Sequence, residues 1–181
     1  MGAAYQINDQ EATYFMTFQV VGWVDIFSRQ IYRDVIIDSF KYCMLKKGME
    51  LNAYVIMTNH IHLIMSSKHG DLSGLVRDFK KYTSKQILSI ISNNPIESRK
   101  EWLEIVFKYH AKYNMRAGEK QLWTHENHAV ELSTNEMIDT RLDYIHDNPV
   151  KAGWVENPEH YLYSSSRNYS DVDYLIKINM I

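Results

Sequence analysis

Residues 50 to 67 hold two short apolar runs, ELNAYVIMT (50 to 58) and IHLIMSS (61 to 67), separated only by Asn59 and His60. Both runs are rich in β-branched and apolar side chains, and a helix buried on one face would need a longer stretch, so they read as two strands. They also fall far short of the roughly 20 apolar residues of a bilayer span. Asn tolerates the backbone of a tight turn, so Thr58-Asn59-His60 is expected to fold the two strands into an antiparallel pair. Any architecture for this chain has to contain that hairpin.

The elements around it follow from spacing. Residues 14 to 24 (YFMTFQVVGWV) are aromatic and β-branched and are expected to form a strand. Ser28 is positioned to cap a helix that carries Ile31, Val35, Ile36, Phe40 and Cys43 at helical spacing up to Gly48. A second helix, 71 to 91, has Leu72, Leu75, Val76, Phe79, Thr83 and Ile87 on one face, and Asn93-Asn94-Pro95 breaks it. Residues 97 to 114 form a third, charged helix that reads as an insertion at about 95 to 118. A strand over 122 to 132 follows. Thr134 then caps a last helix through Ile138, Leu142 and Ile145 that is expected to end before Pro149. The order βαββα(α)βα with an antiparallel sheet is α+β and ferredoxin-like, with helices on one face and one inserted helix, in a single domain over 1 to 181.

Composition supports a packed domain, since 45% of the 181 residues are hydrophobic and only 7 are Gly and 3 Pro. The single cysteine, Cys43, cannot form an internal disulfide or a thiolate cage. The first residues carry Asp9 and Glu11 without a basic-then-apolar pattern, so the expectation is a cytoplasmic chain with no membrane segment.

His60 and His62 alternate with an apolar residue at the start of a strand, and period two puts both imidazoles on one face, about 6.5 Å apart at Cα, where they can converge on one ion. A third histidine at position 64 would have pointed to a histidine-triad nucleotide hydrolase, but the residue is Ile64. Serine, cysteine and phosphate-loop signatures are absent, which leaves tyrosine as nucleophile. Two helical tyrosines have an amide one turn on: Tyr82 with Gln86, and Tyr144 with Asn148. An amide oxygen suits a hard divalent ion that already has two imidazoles, with positions left for phosphate and water. Spacing alone leaves both pairs open.

The net charge of −2 conceals an uneven distribution. Residues 68 to 85 hold five basic against two acidic side chains, and residues 99 to 120 hold six against three. Residues 125 to 160 hold eight acidic side chains against Arg141 and Lys151. The basic middle, with Arg77, Lys80, Lys81 and Lys85 on the second helix, is the candidate contact for nucleic acid phosphates. Lys108, Lys112 and Arg116 offer a second path, and Trp123 and Trp154 are candidates for stacking bases.

Residues 53 to 65 (AYVIMTNHIHLIM) and 143 to 165 (DYIHDNPVKAGWVENPEHYLYSS) strongly resemble the REP-associated tyrosine transposases, a branch of the single-tyrosine HUH transposases of bacterial insertion sequences. The likeness runs from about Tyr14 to Tyr169 and includes the H-A-V of residues 128 to 130 before the tyrosine helix. It implies that His60, His62 and Asn148 hold Mg²⁺ or Mn²⁺ and that Tyr144 is the nucleophile. Tyr82 then falls in a DNA-contacting helix. The implied activity is cleavage and strand transfer of single-stranded or hairpin DNA through a 5′-phosphotyrosine, with no nucleotide cofactor. A non-cutting, structure-specific DNA-binding protein of the same fold is the alternative. The resemblance leaves a monomer and a homodimer with shared sites equally open. The stretch from Ser89 to Gly118 is longer than expected for the shortest members of the family.

Overall fold

The computed structural model describes residues 6–114 and 118–181. Strands β1 (Tyr14–Gln19), β2 (Met49–Ile56), β3 (His60–Ser67) and β4 (Val130–Glu131) form one antiparallel sheet in the order β2-β3-β1-β4. The expected hairpin is β2–β3, closed by the Met57 N–H donating to the His60 carbonyl at 2.9 Å.

Side chains of both parities on β2 and β3 are buried, which is why these runs read as continuously apolar rather than alternating. On one face, helices α1 (Gln30–Lys46) and α2 (Leu72–Asn93) pack Phe40 and Phe79 ring on ring, with centroids 5.1 Å apart, against Phe18, Tyr54, Leu63 and Met65. On the other face, helix α4 (Asn135–Lys151) sets Ile145, with Met137, Ile138 and Leu142, against Phe15, Val55 and Ile64. The α+β class stands, and α1 and α2 share one face as expected, but α4 covers the opposite one. The cause lies in the sheet itself: Phe15, Val55 and Ile64 give its second face an apolar surface that water cannot cover cheaply.

Several boundaries differ from the sequence expectation. β1 stops at Gln19, because Gly22 (φ 62°) and Trp23 (φ 56°) turn the chain through left-handed backbone. Ser28 does not cap α1. Its hydroxyl donates to the Asp25 carbonyl at 2.7 Å, and Arg29 occupies the capping position. Gly48 (φ 70°) does follow the end of α1. The strand expected over 122 to 132 is reduced to Val130–Glu131 plus one bridge between Trp123 and Val20. The loop between them is held by Lys80, whose Nζ donates to the Thr124 carbonyl at 2.8 Å and to Asn127 Oδ1 at 2.6 Å. α4 does not end before Pro149. It runs to Lys151, because a proline in the last turn removes only the N–H directed at the Ile145 carbonyl, and Ala152 still donates to the Asn148 carbonyl at 3.0 Å.

Helix α3 (Lys100–Lys112) occupies the expected insertion. Its entry is tied down by buried Glu97, which accepts from the Tyr32 hydroxyl at 2.7 Å and pairs with Arg29 at 3.1 Å. The chain after α4 includes helix α5 (Ser166–Tyr169), and it covers the free edge of β2 through Ile56 N–H to the Tyr163 carbonyl and Ser165 N–H to the Tyr54 carbonyl. Among the described residues no helix is long and apolar enough to cross a membrane.

Candidate functional site

β1 pairs with β3 so that Thr17 lies opposite His62 and Gln19 opposite His60. The two imidazoles therefore share the α4 face, with ring centroids 4.6 Å apart and planes inclined by 68°. The Nδ1 of His60 lies 2.6 Å from Asn59 Oδ1, and the Asn59 amide nitrogen donates to the Trp23 carbonyl at 3.4 Å. An amide oxygen can only accept, so Nδ1 of His60 carries the proton and Nε2 has a free lone pair. The Nδ1 of His62 is 2.8 Å from the Thr17 hydroxyl, and Phe15 stacks on its ring at 5.5 Å.

His62 is 6% exposed, and burial, with smaller contributions from His60 and Arg141, pushes its pKa down to about 3. Burial lowers that of His60 as well. Both rings are therefore neutral near pH 7, as metal ligation requires. Helix α4 brings Tyr144 onto this pair. Its hydroxyl is 3.5 Å from Nε2 of His62, the two rings meet edge to face at 5.1 Å, and Phe15 flanks Tyr144 at 5.9 Å. Asn148 is one turn further along the same helix face, and its amide nitrogen donates to the Tyr144 carbonyl at 3.1 Å, so the amide oxygen is not spent on that bond. Arg141 lies over the Phe15 ring at 4.8 Å and Lys151 over the Tyr144 ring at 5.9 Å. The two basic side chains of an otherwise acidic segment thus both border this site.

The donor set fits a divalent cation. It offers two neutral imidazoles, each with Nδ1 engaged by a neighbouring polar group as metal-bound histidines usually are, and the Asn148 amide one turn after Tyr144 on α4. Among the described residues no cluster of three His, Cys, Asp or Glu side chains could hold an ion, so a cation here would need an amide, water or substrate oxygen to complete its shell.

The other sequence candidates lie elsewhere. Tyr82 and Gln86 line a cavity of about 590 Å³ between α1 and α2, with Tyr42 and Phe79, on the face of the sheet away from the histidines. Lys81 and Lys85 are exposed on α2, whereas Arg77 is paired with Asp78 at 3.1 Å. Lys80 turns inward to the 124–127 loop, where burial pushes its ammonium down to about 7. Trp123 is a core residue, packed on Phe18 and Phe27 with its indole N–H donating to Thr83 at 3.0 Å, while Trp154 is half-exposed. Arg116 lies outside the described residues. Sequence reasoning did not find Thr17, Asn59 or Arg141. Asn59 adjoins the histidine motif, but its role depends on a side-chain bond, and the other two reach the site only through strand register and helix packing.

A family model described as transposase IS200 like matches residues 14–148. Among solved structures, the chain is similar to a REP-associated tyrosine transposase bound to a REP hairpin, with TM-score 0.61 and 19% identity over 99% of this chain and 92% of that one. A protein of Deinococcus radiodurans R1, named as a transposase, matches with TM-score 0.47 and 15% identity over 82% of this chain and 95% of that one. No curated protein matches.

Proposed function

Because the chain belongs to the IS200-like transposase family, we propose that it is a divalent-metal-dependent single-strand DNA transferase of the REP-associated branch, acting on hairpin or repeat DNA through Tyr144. The observation that carries this reading is the Tyr144 hydroxyl 3.5 Å from Nε2 of His62, in a site that already has a second imidazole and an amide one helical turn away.

In this reading the Tyr144 phenol gives up its proton as its oxygen bonds to a backbone phosphorus, the bond from phosphorus to the 3′ oxygen breaks, and that oxygen takes up one proton and leaves as a 3′ hydroxyl. The 5′ side remains as a phosphotyrosine, which keeps the phosphodiester's energy so that rejoining requires no nucleotide. Phe15 and His62 hold the phenol ring by edge contacts, limiting its motion to a near-attack arrangement. Arg141, together with Lys151 that also pairs with Asp147 at 3.5 Å, places positive charge beside an entering phosphate. His60, His62 and Asn148 would hold Mg²⁺ or Mn²⁺, which when bound polarises a nonbridging phosphate oxygen. A partner DNA that presents an unpaired strand suits a phenol lying 38% exposed at the surface. The similar REP-associated transposase was solved with a REP hairpin, which supports hairpin DNA as the first substrate to try.

The test is a labelled REP-type hairpin with a single-stranded flank, incubated with Mn²⁺. Wild-type protein is expected to cut it, and His62→Ala to bind it with similar affinity but without cutting, because phosphate and base contacts come from other residues. Binding without cutting by the wild type would leave the non-cutting DNA-binding protein as the correct reading. Equal loss of binding and cutting in His62→Ala would make the histidines supports of the fold.

A further inference from the structure

The inserted helix α3 buries Leu103, Phe107 and Ala111 and turns an aromatic stripe to solvent. Trp102, Tyr109 and Tyr113 are 48%, 55% and 76% exposed, and their spacings of seven and four residues put them on one face. The rings of Tyr109 and Tyr113 pack edge to face at 5.2 Å, with exposed Lys108 and Lys112 on the adjoining strip of the helix. Lys112 has no ion-pair partner among the described residues, while Glu104 pairs closely with Lys120 at 3.1 Å and only loosely with Lys108, at 4.0 Å. This end of α3 is therefore both aromatic and cationic.

The turn that carries Trp23 packs against this helix. A Cβ on Gly22 would lie 3.0 Å from His110 Nε2 and 3.3 Å from Val106 Cγ1, so the chain at 22 to 23 rests directly on α3, and the His110 ring touches that of Tyr109 at 5.5 Å. Trp23, next in sequence, is 69% exposed and sits at φ 56°, a left-handed conformation that is costly for a bulky residue and is retained where a site demands it. Its carbonyl holds Asn59, which holds His60. Hence a run of exposed rings comprises Trp23, within two hydrogen bonds of the histidine pair, and Tyr109 and Tyr113 on the helix that its turn packs against.

We propose that this run is the track of the single strand flanking the cut phosphate, with bases stacking on Trp23, Tyr109 and Tyr113 and phosphates meeting Lys108 and Lys112. The proposal rests on the transferase reading above. Stacking rings interleaved with cations are what single-stranded nucleic acid binding uses, and they tolerate any base sequence. Protein interfaces are also rich in aromatic side chains but depleted in lysine, so the exposed Lys108 and Lys112 beside these rings favour a nucleic acid over a protein partner.

The experiment compares two oligonucleotides, a blunt hairpin and the same hairpin with a ten-thymidine tail, by fluorescence anisotropy with metal chelated so that nothing is cut. Each tail polarity is tried. Wild-type protein is expected to bind the tailed form tighter. Tyr109→Ser/Tyr113→Ser should lose about tenfold or more of that gain while binding the blunt hairpin as before. Trp23→Asn, which suits the left-handed backbone, should behave likewise. Lys108→Gln/Lys112→Gln should lower the salt slope of tailed binding by about 0.7 for each phosphate no longer neutralised. All these side chains are exposed, and unchanged thermal midpoints would verify that the variants fold. A wild type that binds the hairpin but gains nothing from the tail, or variants that keep the gain, would overturn the track and leave the transferase reading standing. A wild type that binds neither oligonucleotide would overturn both.

Discussion

At the scale of single residues, two hydrogen bonds decide what His60 and His62 can do. Asn59 Oδ1, 2.6 Å from Nδ1 of His60, fixes that ring as the Nδ1–H tautomer, and the Thr17 hydroxyl at 2.8 Å orients His62. Asn59→Ala removes the acceptor and frees the His60 ring, so Mn²⁺ affinity measured by calorimetry is expected to fall about 10- to 100-fold. Asn59→Asp keeps an acceptor and should recover most of that affinity. Equal affinity in all three proteins would mean that Asn59 plays no part in orienting a ligand. The His-x-His alternation was legible in the sequence because strand periodicity alone puts both rings on one side. Tyr144 and Tyr82 were equal by spacing, and only the resemblance separated them. In the structure, packing is what distinguishes them, since α4 carries Tyr144 to the histidine face whereas α2 carries Tyr82 to the other. Thr17 was illegible because it reaches His62 only through the β1–β3 register.

At the scale of elements, the short β4 and the 124–127 loop show how a side chain reinforces a broken ladder, in which Thr124 N–H still donates to the Gln19 carbonyl and Thr17 N–H to the Asn127 carbonyl, both at 2.8 Å. The sequence from Leu122 to Leu132 alternates poorly and is rich in His, Glu and Asn, so only Val130 and Glu131 complete a ladder with β1. Lys80 adds a further attachment, from α2. Its burial has a consequence for stability. The unfolded chain keeps the Lys80 proton up to its ordinary pKa of 10.5, whereas the folded chain releases it near 7. Between those values the unfolded state binds more protons, so stability should rise with pH above about 7 and be lowest below it. The ceiling is about 1.4 kcal/mol per pH unit, and the hydrogen bonds to Thr124 and Asn127 favour the charged form and reduce it. Urea midpoints should therefore increase from pH 7 to pH 9 in the wild type and stay flat in Lys80→Met. A wild-type midpoint that falls over this range, or the same rise in the variant, would show that Lys80 is hydrated in the folded state. For α4, Pro149 misled the sequence reading because a proline near a helix end costs one hydrogen bond and need not terminate the helix.

At the scale of the molecule, the sheet divides labour between its faces. One face carries the larger core under α1 and α2, and the other places α4 over the histidine pair. The order of elements was readable from periodicity, but which face each helix would take was not, since a helix pattern states that a stripe is buried without stating against what. The net charge of −2 likewise says little about substrate, because the two basic side chains of the acidic segment, Arg141 and Lys151, both border the site. Tyr144 lies 3.5 Å from His62 of the same chain. The most direct measurement of the central claim is therefore the site of covalent attachment. After incubation with hairpin DNA and Mn²⁺, the protein is denatured, digested and analysed by mass spectrometry for a nucleotide-bearing peptide. The account predicts a phosphodiester-linked nucleotide on Tyr144, absent from Tyr144→Phe and retained in Tyr82→Phe. A nucleotide on Tyr82, or DNA cut without any tyrosine adduct, would contradict it.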